Sequence, residues 1–525
     1  MHLTATIANT LWSASNLPSY LRFCRALHDP QVAQQQKLRV LLEDSAHTAF
    51  GKAHGFDTIH NYREFARRVP LADYDALEPW IDKICRGEKN ILTRDPVTHL
   101  VPTSGSTGAR KLIPFTAGLQ REFNSAIGPW LVDLARQQPG ILGGLAYWSV
   151  TPALRDAKRE ESAVPVGFDA DTAYLGGARQ KLANAVMAVP SEVQHAKSLE
   201  AFRYETLLHL LRCRELRLIS VWHPSFLTLL LDWLPEYWDR LLTDRMSRRR
   251  VEELRAMNPL RPETLWPHLK IISCWGDGAA ELALADLQRR FLNVLVQPKG
   301  LLATEAFVTI PFDGMRPLAI NSHFFEFIDE QGRVHPAHEL RAGEIYEVIV
   351  TTAGGLWRYR MGDVVQVTGH LNKTPALRFL GRNGNVSDLA GEKLSETFVV
   401  KAIQEIIATF KRPPCFVLLA PEQDAEARRY TLYWEGETDS QLAWRMDESL
   451  CANPHYAVCR DLGQLQPPRV FQISAHGHET FINREAANGR RLGDVKPGHL
   501  SQRTDWAKHF QGEYIVAAAE PSPHF

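Results

Sequence analysis

The sequence predicts an α/β protein: a large amino-terminal domain with parallel-rich sheets, helices and a β-rich subdomain, then a smaller α+β domain. Three observations carry that reading. Short β-rich apolar runs alternate with helical stretches of roughly 10–20 residues through the middle of the chain. A segment after about residue 315 reads instead as strands joined by glycine turns. A cluster of glycine, asparagine and serine in FLGRNGNVSD (379–388) then marks a boundary ahead of the last part of the chain.

Taken in order, residues 1 to about 95 are helical, with polar breaks. QVAQQQKLRVLLEDSAHTAF repeats apolar residues at three- and four-residue steps, the period that lays them on one helix face. RLISVW (217–222) is the first clear strand-like run, followed by Pro224 and the helical SFLTLLLDWLPEYW. LKIISCW (269–275) follows, with glycines and the helical ELALADLQRRF behind it, and then NVLVQP (293–298). Strands separated by helices in this way build β-α-β units and a buried parallel sheet. HFFEFIDEQGRVHP and GEIYEVIVTTAGGLWRYRMGDVVQVTG supply the β-rich subdomain, with turns at Gln331-Gly332 and Gly354-Gly355. The expected division is 1–380 and 381–525.

Composition excludes several classes. Sixty basic residues balance sixty acidic ones in 525 residues, so no overall field draws the chain to nucleic acid or to an anionic membrane. Apolar residues at 45% leave ample material for a core. The seven cysteines (24, 85, 213, 274, 415, 451, 459) are scattered without a C-x-x-C pair, which reads as buried thiols in a reducing compartment. Apolar runs such as Phe226 to Leu231 fall far short of the ~18 residues of a membrane span. The opening MHLTATIANTLWSASNLPSYLRFC has no basic start followed by a sustained apolar stretch, so a cytoplasmic protein is expected.

Three segments carry chemistry. In Val101-Pro-Thr-Ser-Gly-Ser-Thr-Gly-Ala-Arg-Lys111, residues Thr103, Ser104, Gly105, Ser106, Thr107, Gly108 and Lys111 combine hydroxyls, glycines and a lysine. Glycines let backbone N–H groups turn inward, hydroxyls add donors, and the lysine supplies a mobile cation. Those are the parts of a polyphosphate cradle, and equally those of a polar surface loop. Neither G-x-x-x-x-G-K-[ST] nor G-x-S-x-G is present, so the P-loop and the hydrolase elbow are excluded.

The second segment is Gly300-Leu-Leu-Ala-Thr-Glu305, just after the strand NVLVQP. Parallel sheets bind ligands at the carboxyl ends of their strands, so Glu305 is placed to hold Mg²⁺, a hard cation that takes one or two carboxylates with substrate phosphates. The competing reading is a glutamate at a helix entry. Upstream, Trp275-Gly-Asp-Gly-Ala-Ala280 lacks the third glycine of a dinucleotide fingerprint, and Gln297 stands where an acid is wanted, which excludes a nicotinamide site. The third segment, Trp357-Arg-Tyr-Arg-Met-Gly-Asp363, sets Asp363 after a glycine turn, where a carboxylate can accept two hydrogen bonds from a ribose diol. A strand ending in an ordinary Asp turn reads the same way. The arginine run 248–250 beside Glu252 and Glu253 reads as a solvated helix face.

In this order and at these separations, the three segments resemble the adenylate-forming superfamily of acyl-CoA ligases, peptide-synthetase adenylation domains and luciferases. HTAFGKAHGFDTIHNYREFARRVPLADYDALEPWIDKICRGEKNILT (47–93), leading into TSGSTGARKLIPFT, is similar to the auxin-responsive (Gretchen Hagen) acyl-acid amido synthetase family. That resemblance runs from about residue 35 to about 500. It implies a ligase using ATP and Mg²⁺ that activates a small carboxylic acid as an acyl-adenylate and transfers the acyl group to an amino acid. An acyl-CoA ligase sharing the first step, or a nucleotide-binding homologue without catalysis, are the alternatives.

By the resemblance, residues 103–108 and Lys111 bind the β- and γ-phosphates, Thr304 the nucleotide phosphate, Glu305 Mg²⁺ and Asp363 the ribose. Gly276, Asp277, Gly278 and Ala279 would lie near the adenine edge. Leu301 stands where the family has a tyrosine against the base. Arg382 matches the hinge of a mobile carboxy-terminal domain, with Lys393 and Lys496 as the lysines that visit the site in turn. Asp494 departs from the family glutamine beside Lys496. The acyl pocket is expected to be apolar and aromatic-walled, with Trp148, Trp222, His223 and Phe226 as candidates. The oligomeric state is left open.

Overall fold

A computed structural model describes residues 2–103, 111–149, 162–167, 177–243, 245–278, 280–423, 427–487 and 498–515. The amino-terminal region is helical, as its periodicity requires: α1 (Leu3–Ala26), α2 (Pro30–Ser45), α3 (Ala49–His54), α4 (Tyr62–Arg68) and α5 (Tyr74–Cys85). All five begin on a side chain that accepts the N–H three residues on: His2 from Ala5, Asp29 from Val32, Thr48 from Gly51, Asn61 from Glu64 and Asp73 from Ala76. Each satisfies one of the donors that a helix start leaves without a partner.

Two strands, β1 (Val97–Pro102) and β2 (Leu112–Thr116), pair antiparallel, and Thr116 caps the long α6 (Ala117–Gln137). A four-stranded parallel sheet follows, β3 (Leu145–Trp148), β4 (Leu216–Ser220), β5 (Ile271–Cys274) and β6 (Leu295–Pro298), in spatial order 3-4-5-6. Between β3 and β4 come α7 (Gly177–Val186) and α8 (Leu199–Arg212). Between β4 and β5 come α9 (Pro224–Asp232), α10 (Leu234–Leu241), α11 (Arg248–Arg255) and α12 (Pro262–Leu265). The helix between β5 and β6 is α13 (Ala280–Arg290). The β-rich segment forms a five-stranded sheet of β7 (Phe324–Ile328), β8 (Val334–Pro336), β9 (Ile345–Thr351), β10 (Tyr359–Leu371) and β11 (Thr374–Arg382), in order 11-10-9-7-8. The expected glycine turns are present, with Gly332 and Gly355 both at positive φ.

The contacts divide the chain into two units, 1–276 with 290–379, and 277–289 with 380–525. The first unit has a continuous apolar core running from Leu41 and Phe65 to Phe325, Trp357 and Val365. Inside it, the Arg358 guanidinium binds both Glu326 oxygens at 2.8–3.2 Å and donates to the carbonyls of Ala66 and Val69. The second unit pairs β12 (Val386–Ser387) with β13 (Leu394–Ser395) and forms a mixed sheet of β14 (Phe416–Gln423), β15 (Arg428–Glu435), β16 (Arg469–Ile473) and β17 (Gly512–Tyr514). Its helices are α14 (Glu396–Ile407), α15 (Leu442–Cys451), α16 (Pro454–Asp461) and α17 (Gly477–Ala487). Its core includes Val399, Ile403, Trp434 and Met446.

Three local expectations are corrected. The helix α13 lies between two strands of the parallel sheet in sequence, yet Leu282 packs on the second unit's core and Glu281 accepts from Gln404 at 3.0 Å. Arg250 is not on a solvated face: it is buried, and its guanidinium donates to the carbonyls of Leu211 and Leu265 and pairs with Glu253. None of the seven cysteines is in a disulfide, but Cys415 and Cys451 are exposed rather than buried. Among the described residues no helix is long and apolar enough to cross a membrane.

Candidate active site

The carboxyl ends of β3 to β6 lie side by side because the strands are parallel and consecutive, and the chain leaves each end into a segment that carries candidate residues. The ladder continues past the strands: Ser149 N–H donates to Ser220, Val221 to Ser273, Trp275 to Trp222 and Lys299 to Cys274. Trp148 ends β3 with its ring packed near those of Trp12 and Trp130, at 5.7 and 6.4 Å. Trp222 lies two residues past β4, 5.7 Å ring to ring from Trp275. His223 is buried and caps α9, its Nδ1 accepting from Ser225 N–H and sharing a 2.6 Å hydrogen bond with Ser225 Oγ. Phe226 is half-buried in the first turn of α9, 6.4 Å from Phe202. Gly276 is buried just past β5.

Past β6 the chain makes a tight hairpin. Gly300 is required there: a Cβ would fall 2.0 Å from the carbonyl oxygen of Thr309. Leu302 bridges Phe307 antiparallel, and Ala303 N–H donates to Ala306 O at 2.9 Å. Thr304 and Glu305 therefore occupy the two central positions of a four-residue turn, which overturns the helix-entry reading. Glu305 is 4% exposed, and its carboxylate has no hydrogen bond or ion pair with any described residue. A nearly buried carboxylate is ordinarily paired, so this one has the donor chemistry and the free lone pairs that a hard divalent cation requires.

The hydroxyl- and glycine-rich segment is the connection of the β1–β2 hairpin. Pro102 pairs with Leu112, and Thr103 N–H donates to Lys111 O at 2.9 Å, so both ends of the loop are fixed. Ser104, Gly105, Ser106, Thr107 and Gly108 lie outside the described residues, as do Ala279 and Lys496. Lys111 is half-buried, with Nζ 5.8 Å from the Tyr74 ring centroid, and it forms no ion pair among the described residues. Tyr74 also receives the Leu112 N–H on its hydroxyl at 2.9 Å.

Asp363 is buried in the middle of a long strand rather than at a strand end. The β9–β10 register breaks between Arg360 and Val364, and Gly362 within the break has φ +77°. A bulge of this kind redirects a side chain, and its left-handed residue is ordinarily glycine. The same strand is tied to the hairpin: Ala72 bridges Tyr359, and two residues on, Tyr74 contacts Lys111.

The helix α6 joins the segments. Leu119 and Phe123 pack with Val101 of β1 and Phe115 of β2, and Phe307 stacks on Phe123 at 4.4 Å. Glu122 accepts from Ala353 N–H, in the turn between β9 and β10. In the second unit, Asp277 and Gly278 form the turn into α13. Arg382 ends β11, half-buried. Lys393 is exposed at φ 47°, next to a buried Glu392 that accepts from Leu389 N–H, Ala390 N–H and Tyr430 OH.

Sequence reasoning missed Lys299. It is 6% exposed, donates from Nζ to Val221 O at 2.8 Å, and sits 4.8 Å from the Trp222 ring centroid. Burial pushes its pKa down to about 7, against a smaller upward pull from Cys274. A lysine at the carboxyl end of a strand was detectable by the same rule that singled out Glu305.

The fold is shared with solved structures of an acyl-CoA ligase and of an acyl acid amido synthetase. The chain matches 2-hydroxyisobutyryl-CoA ligase in its postadenylation state with 2-HIB-AMP at a TM-score of 0.52, 12% identity, over 90% of this chain and 89% of that one. It matches the GH3.15 acyl acid amido synthetase in complex with 2,4-DB at 0.82 and 18% identity, over 97% and 99%. Family models described as the GH3 family N-terminal, central and C-terminal domains match residues 20–254, 316–382 and 397–505, and the chain belongs to the GH3 family. Among curated relatives, the indole-3-acetic acid-amido synthetases GH3.3 and GH3.4 of Arabidopsis thaliana are 23% and 22% identical. The alignments cover 80% of this chain and 77% of GH3.3, and 95% and 94% for GH3.4.

Proposed function

We propose that this chain is a cytoplasmic, ATP-dependent acyl-acid amido synthetase. It activates a small carboxylic acid as an acyl-adenylate with release of pyrophosphate, then passes the acyl group to the amine of an amino acid. The observation that carries the reading is Glu305, a nearly buried carboxylate without a described partner at the tip of a turn past β6. Membership of the GH3 family supports it, and so does the amido synthetase chemistry named for the relatives.

The residues divide the work in physical terms. A carboxylate is a poor electrophile because its charge repels an incoming amine, and adenylation removes that charge. Residues 103–108 would supply N–H and hydroxyl donors to the β- and γ-phosphates, and Lys111 a cation for charge that builds as pyrophosphate departs. Thr304 would donate to phosphate, Asp363 would accept from the ribose hydroxyls, and Gly276 to Ala279 would line the base. Mg²⁺, held by Glu305, would neutralise phosphate oxygens when bound. Trp148, Trp222, His223 and Phe226 would exclude water from the acyl group and its adenylate. Rotation about Arg382 would exchange Lys496 and Lys393 between the two half-reactions, an ordinary gating role for a hinge.

Acid-dependent pyrophosphate release, screened over a panel of carboxylic acids, tests the first step. Supplying amino acids or coenzyme A with the best acid tests the second. Amide formation upholds the reading; a thioester and no amide makes the chain an acyl-CoA ligase; ATP binding without turnover across the panel makes it a non-catalytic homologue.

A further inference from the structure

We infer that His323, held by Glu122 and Lys37, is a positioning residue for the Glu305 turn and sets how well that turn accepts a divalent cation. This rests on the proposed function, which assigns Glu305 to the cation.

The cluster is built from four parts of the first unit. Glu122, on α6, is 3% exposed. Its Oε2 accepts from His323 Nδ1 at 2.9 Å and from Ala353 N–H at 2.9 Å, and its Oε1 pairs with Lys37 Nζ at 2.9 Å. His323 is fully buried just before β7, and its Nε2 accepts from Phe307 N–H at 3.2 Å. Both ring nitrogens are thus committed. Nε2 must carry its lone pair to receive the amide, so the proton sits on Nδ1 and is donated to Glu122. The ring is neutral and its tautomer is fixed by its two neighbours.

Phe307 is the residue paired with Leu302 across the hairpin, two residues beyond Glu305. In that pairing its N–H points out of the hairpin, where His323 receives it. Its carbonyl lies 3.2 Å from Ser322 Oγ, whose one proton is shared with Ala319 O at 2.6 Å, and its ring stacks on Phe123. The arm of the hairpin leaving Glu305 is therefore clamped by backbone and ring to α6 and to the 322–323 segment. The same α6 carboxylate anchors the turn leading to β10. Gln34, one turn before Lys37 on α2, donates to the carbonyls of Ile320 and His323 and accepts from Phe325 N–H, which fixes the His323 backbone as well. The charged groups facing His323 are Glu122 and, beyond it, Lys37; burial lowers the histidine's pKa and Glu122 pulls it upward without reversing that direction.

Two substitutions separate positioning from bulk stability. His323→Asn can still donate to Glu122 from Nδ2 but offers no acceptor to Phe307 N–H. His323→Gln can bring its Oε1 near the former Nε2 and receive that amide. ATP binding is measured by calorimetry over a range of Mg²⁺ concentrations, together with acid-dependent pyrophosphate release and thermal melting. The expected result for His323→Asn is a rise of about tenfold or more in the Mg²⁺ needed for half-maximal ATP binding, the loss typical of an altered outer-shell partner. His323→Gln is expected to recover a substantial part of it. Unchanged Mg²⁺ dependence in His323→Asn overturns the inference, as does an equal loss in both variants that tracks their melting temperatures. If neither variant folds, Phe307→Leu, which removes the stack on Phe123, must raise the Mg²⁺ requirement or the inference falls. Normal Mg²⁺-dependent ATP binding without pyrophosphate release in the wild type would defeat the functional reading alone.

Discussion

Glu122, next to Phe123 in sequence, and Glu305, two residues before Phe307, are almost equally hidden from water, at 3% and 4% exposure, yet their surroundings are opposite. Glu122 Oε2 accepts two hydrogen bonds, from His323 and Ala353, and its Oε1 is ion-paired with the Lys37 ammonium at 2.9 Å. Burial alone would raise its pKa, but Lys37 and His323 outweigh that and hold it below the ordinary carboxylate range. Glu305 has no described donor at all. A buried carboxylate paired with a cation and hydrogen-bonded stabilises and positions its neighbours; one left open within a turn is available to a partner that arrives from solution. The comparison teaches that burial by itself does not mark a functional acid. What distinguishes Glu305 is the lack of a described protein partner at a place where the fold collects ligands.

The largest expected effect lies on the Glu122 side. Glu122→Gln keeps the shape but removes the charge facing Lys37 and turns an amide toward groups that are already donors. Breaking one side of a buried ion pair costs about 3–5 kcal/mol, so the urea midpoint of the first unit should fall markedly. An unchanged midpoint would mean that the cluster is not stabilising and would erase the contrast. Glu305→Gln should do the reverse. Its urea midpoint should stay within error of the wild type, while acid-dependent pyrophosphate release drops by about 10²–10³, as for loss of one well-placed electrostatic group. Unchanged turnover and unchanged Mg²⁺ dependence would remove Glu305 from the mechanism.

Much of this was legible in the sequence, and the limits have physical causes. The strands β4, β5 and β6 announce themselves because each is a short apolar run bounded by helix-forming or turn residues. Glu305 and Asp363 could be singled out because they follow strand-like runs, where parallel sheets and strand bulges present side chains. Their local geometry was not visible. The tight turn depends on Gly300 passing close to Thr309, and the bulge at Gly362 on a register fixed by β9. Arg250 looked solvated because R-R-R has the composition of a wet helix face, whereas its partners are carbonyls of Leu211 and Leu265. The Glu122–His323 pair joins residues 201 apart, a separation at which periodicity carries no signal.

Lys299 extends the comparison to a buried cation. It too lacks an ion pair among the described residues, but its ammonium is turned to a carbonyl and an aromatic face. Its folded pKa of about 7 lies below the 10.5 of the free side chain, so the unfolded chain binds the proton more tightly between those values. Its contribution to stability is therefore present at high pH and is lost as pH falls toward 7. A full proton of difference between the two states changes stability by about 1.4 kcal/mol for each pH unit. Wild type should therefore gain on the order of 1–2 kcal/mol between pH 7 and pH 8.5 over Lys299→Met, which lacks the titration. Parallel stability curves for the two proteins across that range would show that Lys299 keeps an ordinary pKa.

The smallest effect probes α6 itself, which supports both carboxylates' surroundings. Thr116 Oγ1 accepts from Leu119 N–H at 3.1 Å and donates to Ala353 O at 3.1 Å, so it caps the helix and ties it to the β9–β10 turn. Thr116→Ala removes both links and should cost about 1 kcal/mol, the usual value of a lost cap. Because Glu122 still holds Ala353 through its N–H, the turn keeps its place, and the Mg²⁺ requirement of ATP binding should not move. Thr116→Ser, which retains the hydroxyl, should restore most of the stability. If Thr116→Ala instead raised the Mg²⁺ requirement as much as His323→Asn, the helix as a whole, rather than the histidine clamp, would be what positions Glu305.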